Sequence, residues 1–114
     1  MGGISEALRS ARALLVRGWN PHFTRRLERS DLGLRMVVCE PGHQDASEWS
    51  LSDALMLATK SAGAVVDAEE FLRPFTIPTY GASAWTEQNG RTKAEVLGML
   101  DMAIARADRI EATP

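Results

Sequence analysis

This sequence predicts a mainly α fold: one domain over residues 1–114, a small bundle of three to four helices with a minor two-stranded β element. Three observations carry that expectation. Apolar residues recur at three- and four-residue spacing in three long stretches. Each stretch is bounded by residues that start or stop helices. Only one short run, residues 34–38, has β character.

The first helix is expected over residues 5–17, with Ser5 as cap and Ala7, Leu8, Ala11, Leu14 and Leu15 as its apolar stripe. Gly18 is the natural stop, followed by Trp19 as a closing apolar contact. Asn20 and Pro21 then offer a cap with proline at the first helical position. Residues 21–29 read equally as a short helix, a hairpin or an ordered loop, because Phe23 and Leu27 are their only large apolar side chains.

Leu34, Met36, Val37 and Val38 suggest a strand, ended by Glu40, Pro41 and Gly42. A strand needs a partner, and either the segment before Leu34 or residues 64–66 could supply it. Residues 42–48 read as a polar loop. The second helix is expected over 50–62, capped at Ser50, with Trp49 placed to staple onto Ala54 and Gly63 ending it. Asp67 would cap a short helix over 68–72, and residues 74–83 read as an ordered loop.

The last helix, over 92–109, has the fullest signature. Asn89 and Gly90 suit a tight turn, and Thr92 with Glu95 form a capping box that stabilises the start by ~1 kcal/mol. Val96, Met99, Leu100, Ala103, Ile104 and Ala107 share one face. Met99 and Met102 are read as core filling in preference to an adaptable partner groove. The expected core gathers Leu8, Leu15, Trp19, Leu55, Trp85, Val96, Leu100 and Ile104.

Composition is that of an ordinary globular domain. The single cysteine, Cys39, excludes an intramolecular disulfide and suits a reducing compartment. Glu6, Arg9 and Arg12 interrupt the apolar residues of the N-terminal stretch, so no signal peptide is expected. No run approaches the roughly 20 apolar residues of a membrane span. The expected location is cytoplasmic. Charge is uneven: residues 1–36 carry seven arginines against three carboxylates, +4, and the remainder six basic against twelve acidic groups, −6. That polarity suits an acidic partner or head-to-tail association, and equally mutual neutralisation within the fold.

Three segments together resemble an uncharacterised family of small helical domains from bacterial and phage genomes. They are Arg17-Gly18-Trp19, the run from Trp49 through Leu55, and Trp85 followed by Arg91-Thr92 and Glu95-Val96-Leu97. The likeness spans most of the chain. It implies a helical fold and a mobile-element context, and it carries over no catalytic residue. The sequence departs from the family pattern at residues 50–53, where Cys and Gly are frequent, and the family is more hairpin-like after the first Trp.

The function expected from these features is a non-enzymatic protein-binding module, an inhibitor or regulator that occludes a partner protein. Its candidate contact residues are Phe23, Arg25, Arg26, Arg29 and Arg35, with the loop 74–84 second. Arginines interleaved with an aromatic also suit phosphate contacts, so a DNA-binding regulator using 25–35 is the main alternative. It is opposed by the acidic overall balance and the lack of a recognition helix. A third reading makes Cys39 a nucleophile, with His43 or His22 as base. A metal site would need Cys39, His43 and nearby carboxylates to converge. Neither a cofactor nor a metal is expected; self-association remains open.

Overall fold

The computed structural model describes residues 3–76 and 81–112. Its elements in chain order are α1 (Ile4–Arg17), β1 (Arg25–Ser30), β2 (Gly33–Val38), β3 (Ala46–Glu48), α2 (Leu51–Thr59), α3 (Ala62–Leu72), a 3-10 turn (Arg73–Phe75), α4 (Ala82–Thr86) and α5 (Lys93–Ala112). The fold is mainly α, as the helical periodicities require. The β part is larger than expected: the strands form a three-stranded antiparallel sheet of order β2-β1-β3.

The core lies where α1 packs against α5 and α2. Leu8, Ala11 and Leu15 of α1 meet Leu51, Ala54 and Leu55 of α2, Val65, Ala68 and Leu72 of α3, and the predicted stripe of α5. Alanines at buried positions of these helices let their axes approach closely around the leucines. Two expected core members are corrected: Trp19 and Trp85 are only half-buried, and the fully packed indole is Trp49. Its Nε1 donates to the Pro41 carbonyl at 3.2 Å, which satisfies the one polar atom its burial would otherwise strand. The two methionines also part company, since Met99 is buried and Met102 is exposed.

The capping box of α5 is realised in full. Thr92 Oγ1 accepts from the Glu95 N–H at 3.1 Å, and Glu95 Oε1 accepts from the Thr92 N–H at 2.9 Å. The start of α1 departs from expectation. Gly3 occupies the cap position, while Ser5 is buried inside the helix. The Ser5 N–H donates to Glu111 at 2.9 Å and its hydroxyl to Asp108, so one orphan backbone donor of α1 is satisfied by the end of α5.

Arg9 adds an ion pair to Asp108 at 2.6 Å. Together the Arg9 guanidinium and the Ser5 hydroxyl lower the Asp108 carboxyl from 3.8 to about 2. A carboxyl depressed by folding stabilises the native state above its ordinary pKa and loses that contribution as pH falls towards the folded value. Asp108→Asn should therefore flatten the dependence of stability on pH between 3.8 and about 2. Urea titrations across that window would show an unchanged slope if the link were unimportant.

Between α2 and α3 the structure moves two boundaries. Lys60 ends α2 with a left-handed φ of 58°, its N–H donating to the Met56 carbonyl at 2.8 Å. Gly63 is thus not the stop residue; it lies inside α3, which begins after Ser61, whose side chain caps the Ala64 N–H. α3 is longer than the expected 68–72 because Val65, Ala68 and Leu72 bury one helical face. The candidate strand at 64–66 is therefore helical. Within the expected loop 74–84, residues 77–80 lie outside the described residues, and Ala82–Thr86 is helix.

The segment read as polar loop, 42–48, contains β3. It pairs with β1 through Arg25↔Glu48 and Arg26↔Ala46, with a register shift between them. Beyond it, Trp19 and Trp49 form a parallel bridge: the Trp49 N–H donates to the Gly18 carbonyl at 2.9 Å, and the Asn20 N–H to the Trp49 carbonyl at 3.1 Å. The Arg17 guanidinium lies 5.0 Å from the Trp49 ring centre, a cation–π contact that closes this junction. The Arg-Gly-Trp signature is therefore the joint that fastens the sheet to the helices.

Candidate interaction surface

β1 and β2 form a hairpin in unbroken register from Arg25↔Val38 to Ser30↔Gly33. This resolves residues 21–29, since no helix follows Pro21. Asn20 Oδ1 accepts from the N–H groups of His22 and Phe23 at 2.9 and 3.0 Å, an Asx turn that feeds an extended strand. At the far end Asp31 and Leu32 make the tip, and Gly33 takes the positive φ of 111° that the reversal needs. β2 packs substantially on β1 alone, and the molecule measures 58 × 31 × 21 Å. The hairpin is a blade that projects from the helical body.

Residues directly opposite in an antiparallel ladder share a face. The register therefore places Arg25, Leu27 and Arg29 of β1 with Leu34, Met36 and Val38 of β2. Leu27, Leu34 and Val38 are 51%, 61% and 63% exposed. The other face carries Arg26, Glu28, Arg35 and Val37. One face is thus apolar with arginines on it, and the opposite face is charged. At its base the hairpin is tied to α2 by the buried Thr24, whose hydroxyl donates to Asp53 Oδ2 at 2.6 Å.

The candidate residues are brought together on this blade, but the structure divides them. Arg25 pairs with Glu48 of β3 at 2.7 Å. Arg26 and Arg35 both pair with Glu28, at 3.1 and 3.0 Å. Their hydrogen bonds hold the Glu28 carboxyl below its ordinary pKa, Arg35 contributing most. Among the described residues Arg29 alone of the four has no ion pair, and Phe23 is 53% exposed beside the His22 ring. Most of the basic charge is thus spent inside the sheet. The apolar residues Leu27, Leu32, Leu34 and Val38 were not among the candidates, yet each is more than half exposed. Their alternation was visible; the register that aligns them was not.

Cys39 stands just after β2 and is half-buried, and burial pushes its thiol above the ordinary range, the reverse of what an activated nucleophile needs. No hydrogen bond joins it to either histidine among the described residues; His43 Nδ1 instead accepts from the Asp45 N–H at 3.0 Å. No group of three or more potential metal ligands gathers among the described residues.

Two further features were not legible in the sequence. A cleft of about 430 Å³ runs between α1, α2 and α3, with Ile4 and several alanines in its walls and Glu6 and Asp67 among its lining. At the junction of α2, α3 and α4, Glu69 Oε1 accepts from the hydroxyls of Ser52 at 2.9 Å and Ser83 at 3.3 Å. No local spacing signals a cluster drawn from three helices. Its partners satisfy one another, so it reads as a lock between helices.

Fold and surface together define a small helical domain that displays an amphipathic hairpin. The chain belongs to a family of unknown function, DUF6197, which matches residues 2–106. No curated protein and no solved structure matches it. No described helix is long and apolar enough to cross a membrane.

Proposed function

We propose that the chain is a non-enzymatic protein-binding module, a cytoplasmic inhibitor or regulator borne by a phage or mobile element, whose hairpin occludes a partner protein. One observation carries this reading. Of the ten exposed large apolar side chains among the described residues, five lie on the hairpin and its approach: Phe23, Leu27, Leu32, Leu34 and Val38. Clustered exposed apolar side chains mark docking surfaces, whereas scattered ones need no explanation. Fully burying one such side chain yields about 1.5–3 kcal/mol, so a contact covering several supplies a useful affinity. Arg29 adds a free cation at the edge of the patch, which favours a partner with a carboxylate there.

The rival nucleic-acid reading is weakened by the same geometry. Three of the four guanidiniums already face carboxylates, which lowers the net positive charge that phosphate contacts draw on. The discriminating experiment is affinity capture from nuclease-treated lysate of the source organism, read by mass spectrometry. The combined variant Leu27→Ser, Leu34→Ser, Arg29→Glu should keep its circular dichroism spectrum and lose the captured protein. Undiminished capture by that variant would remove the hairpin from consideration. A gel shift at low salt that fades as salt rises would favour the nucleic-acid reading instead.

A further inference from the structure

The open margin of β2 specifies how a partner could engage the hairpin. β2 is an edge strand, hydrogen-bonded to β1 on one side and to no described strand on the other. The phase of the ladder follows from one bond: the Cys39 N–H donates to the Thr24 carbonyl at 3.0 Å. Hydrogen-bonded and non-bonded pairs alternate along an antiparallel ladder. Val37, Arg35 and Gly33 therefore also direct their backbone groups inward to β1. Leu34, Met36 and Val38 direct theirs outward. These are the same three residues whose side chains lie on the apolar face. Edge strands in stable monomers are commonly blunted by proline, bulges or charged side chains; β2 has no proline and pairs with β1 without a bulge, and Arg35 is its one charge.

We propose that β2 accepts an extended segment of a partner protein as an added strand, and that this segment alternates apolar and acidic side chains. The proposal rests on the binding-module reading above and specifies its mode. On the apolar face the incoming residues would lie beside Leu34, Met36 and Val38. On the other face they would meet Arg35, whose side chain is 66% exposed. Arg35 reaches Glu28 through Nε and Nη2 only, which leaves Nη1 for a carboxylate on a neighbouring strand. A second copy of this chain fits less well. Antiparallel self-pairing centred on Met36 would set Val37 opposite Arg35 and bring two Arg35 side chains to diagonal positions, with no carboxylate supplied to either.

The test pans a displayed library of random peptides, about ten residues each and so long enough to span the strand, on the intact protein. Recovered sequences should carry apolar residues at alternate positions with Asp or Glu between them. Met36→Pro removes an outward N–H without touching the bonds to β1, and should weaken binding of the selected peptides roughly tenfold, the effect of about one net hydrogen bond. Arg35→Gln should retain the alternation and lose the acidic preference. Recovery of no peptides, recovery without alternation, or equal binding by Met36→Pro would overturn the proposal. So would sedimentation showing that the protein dimerises and that Met36→Pro abolishes the dimer. If edge pairing fails while the face variant still abolishes capture, only the mode is wrong. If capture survives the face variant, the docking surface itself is wrong.

Discussion

Gly18→Ala is expected to destabilise the fold by roughly 2–3 kcal/mol, the scale of a core overpacking from which neither side can retreat. The cause is steric. Gly18 has a φ of 179°, an extended conformation open to any residue, so backbone freedom is not at issue. A Cβ there would lie 1.9 Å from the Ser47 carbonyl oxygen and 3.2 Å from the Glu48 Cα. Relief requires separating the end of α1 from β3, and those segments are held by the paired bonds between Gly18, Trp49 and Asn20. Both the sheet and the seating of Trp49 depend on that joint. Gly42→Ala, with nothing within 4 Å of its added Cβ, is the natural reference. Urea denaturation should separate the two variants clearly, and equal midpoints would show that the joint yields at little cost.

Leu100→Ala should cost more, about 3 kcal/mol within a range of 2–5 for buried leucines. Leu100 is fully buried in the stripe of α5 that faces α1. The core cluster to which it belongs holds many alanines, among them Ala11, Ala54 and Ala103, which have no side-chain length with which to refill the space. The cavity should therefore persist, and the loss should include both the transfer and the cavity contributions. Met102→Ala, on the exposed side of the same helix, should stay within about 0.5 kcal/mol of the parent. If both substitutions cost the same, α5 does not bear the core as described.

Much of the helical scaffold was legible because α1, α2 and α5 carry both a periodic apolar face and a terminal signal. Thr92 and Glu95 illustrate the strongest case, since a capping box is local and its bonds need nothing distant. The sheet was only half legible. Leu34, Met36, Val37 and Val38 read as a strand, but β1 contains Arg25, Arg26, Glu28 and Arg29 and buries no face against the helices. A strand stabilised by cross-strand ion pairs leaves no hydrophobic period to find. β3 is three residues whose conformation is set by partners at Arg25 and Arg26 and by the adjoining bridge at Gly18. α3 looks short in sequence because Val65 and Val66 resemble strand residues, although Val65, Ala68 and Leu72 share one buried helical face.

The interaction surface shows the same division. The arginines marked the right segment, but Arg25 and Arg35 are neutralised across strands by Glu48 and Glu28, and only Arg26 meets its carboxylate, Glu28, two residues along its own strand. The apolar face depends on register as well. Leu27 and Leu34 are seven residues apart in sequence and become neighbours on one face only once Asp31 and Leu32 turn the chain.

The most direct measurement is amide hydrogen exchange on the protein alone and in complex with its captured partner. Protection gained over residues 23–38, with the helices little changed, is the expected result. Protection confined to α3, α4 or α5 while the hairpin exchanges as freely as before would contradict it.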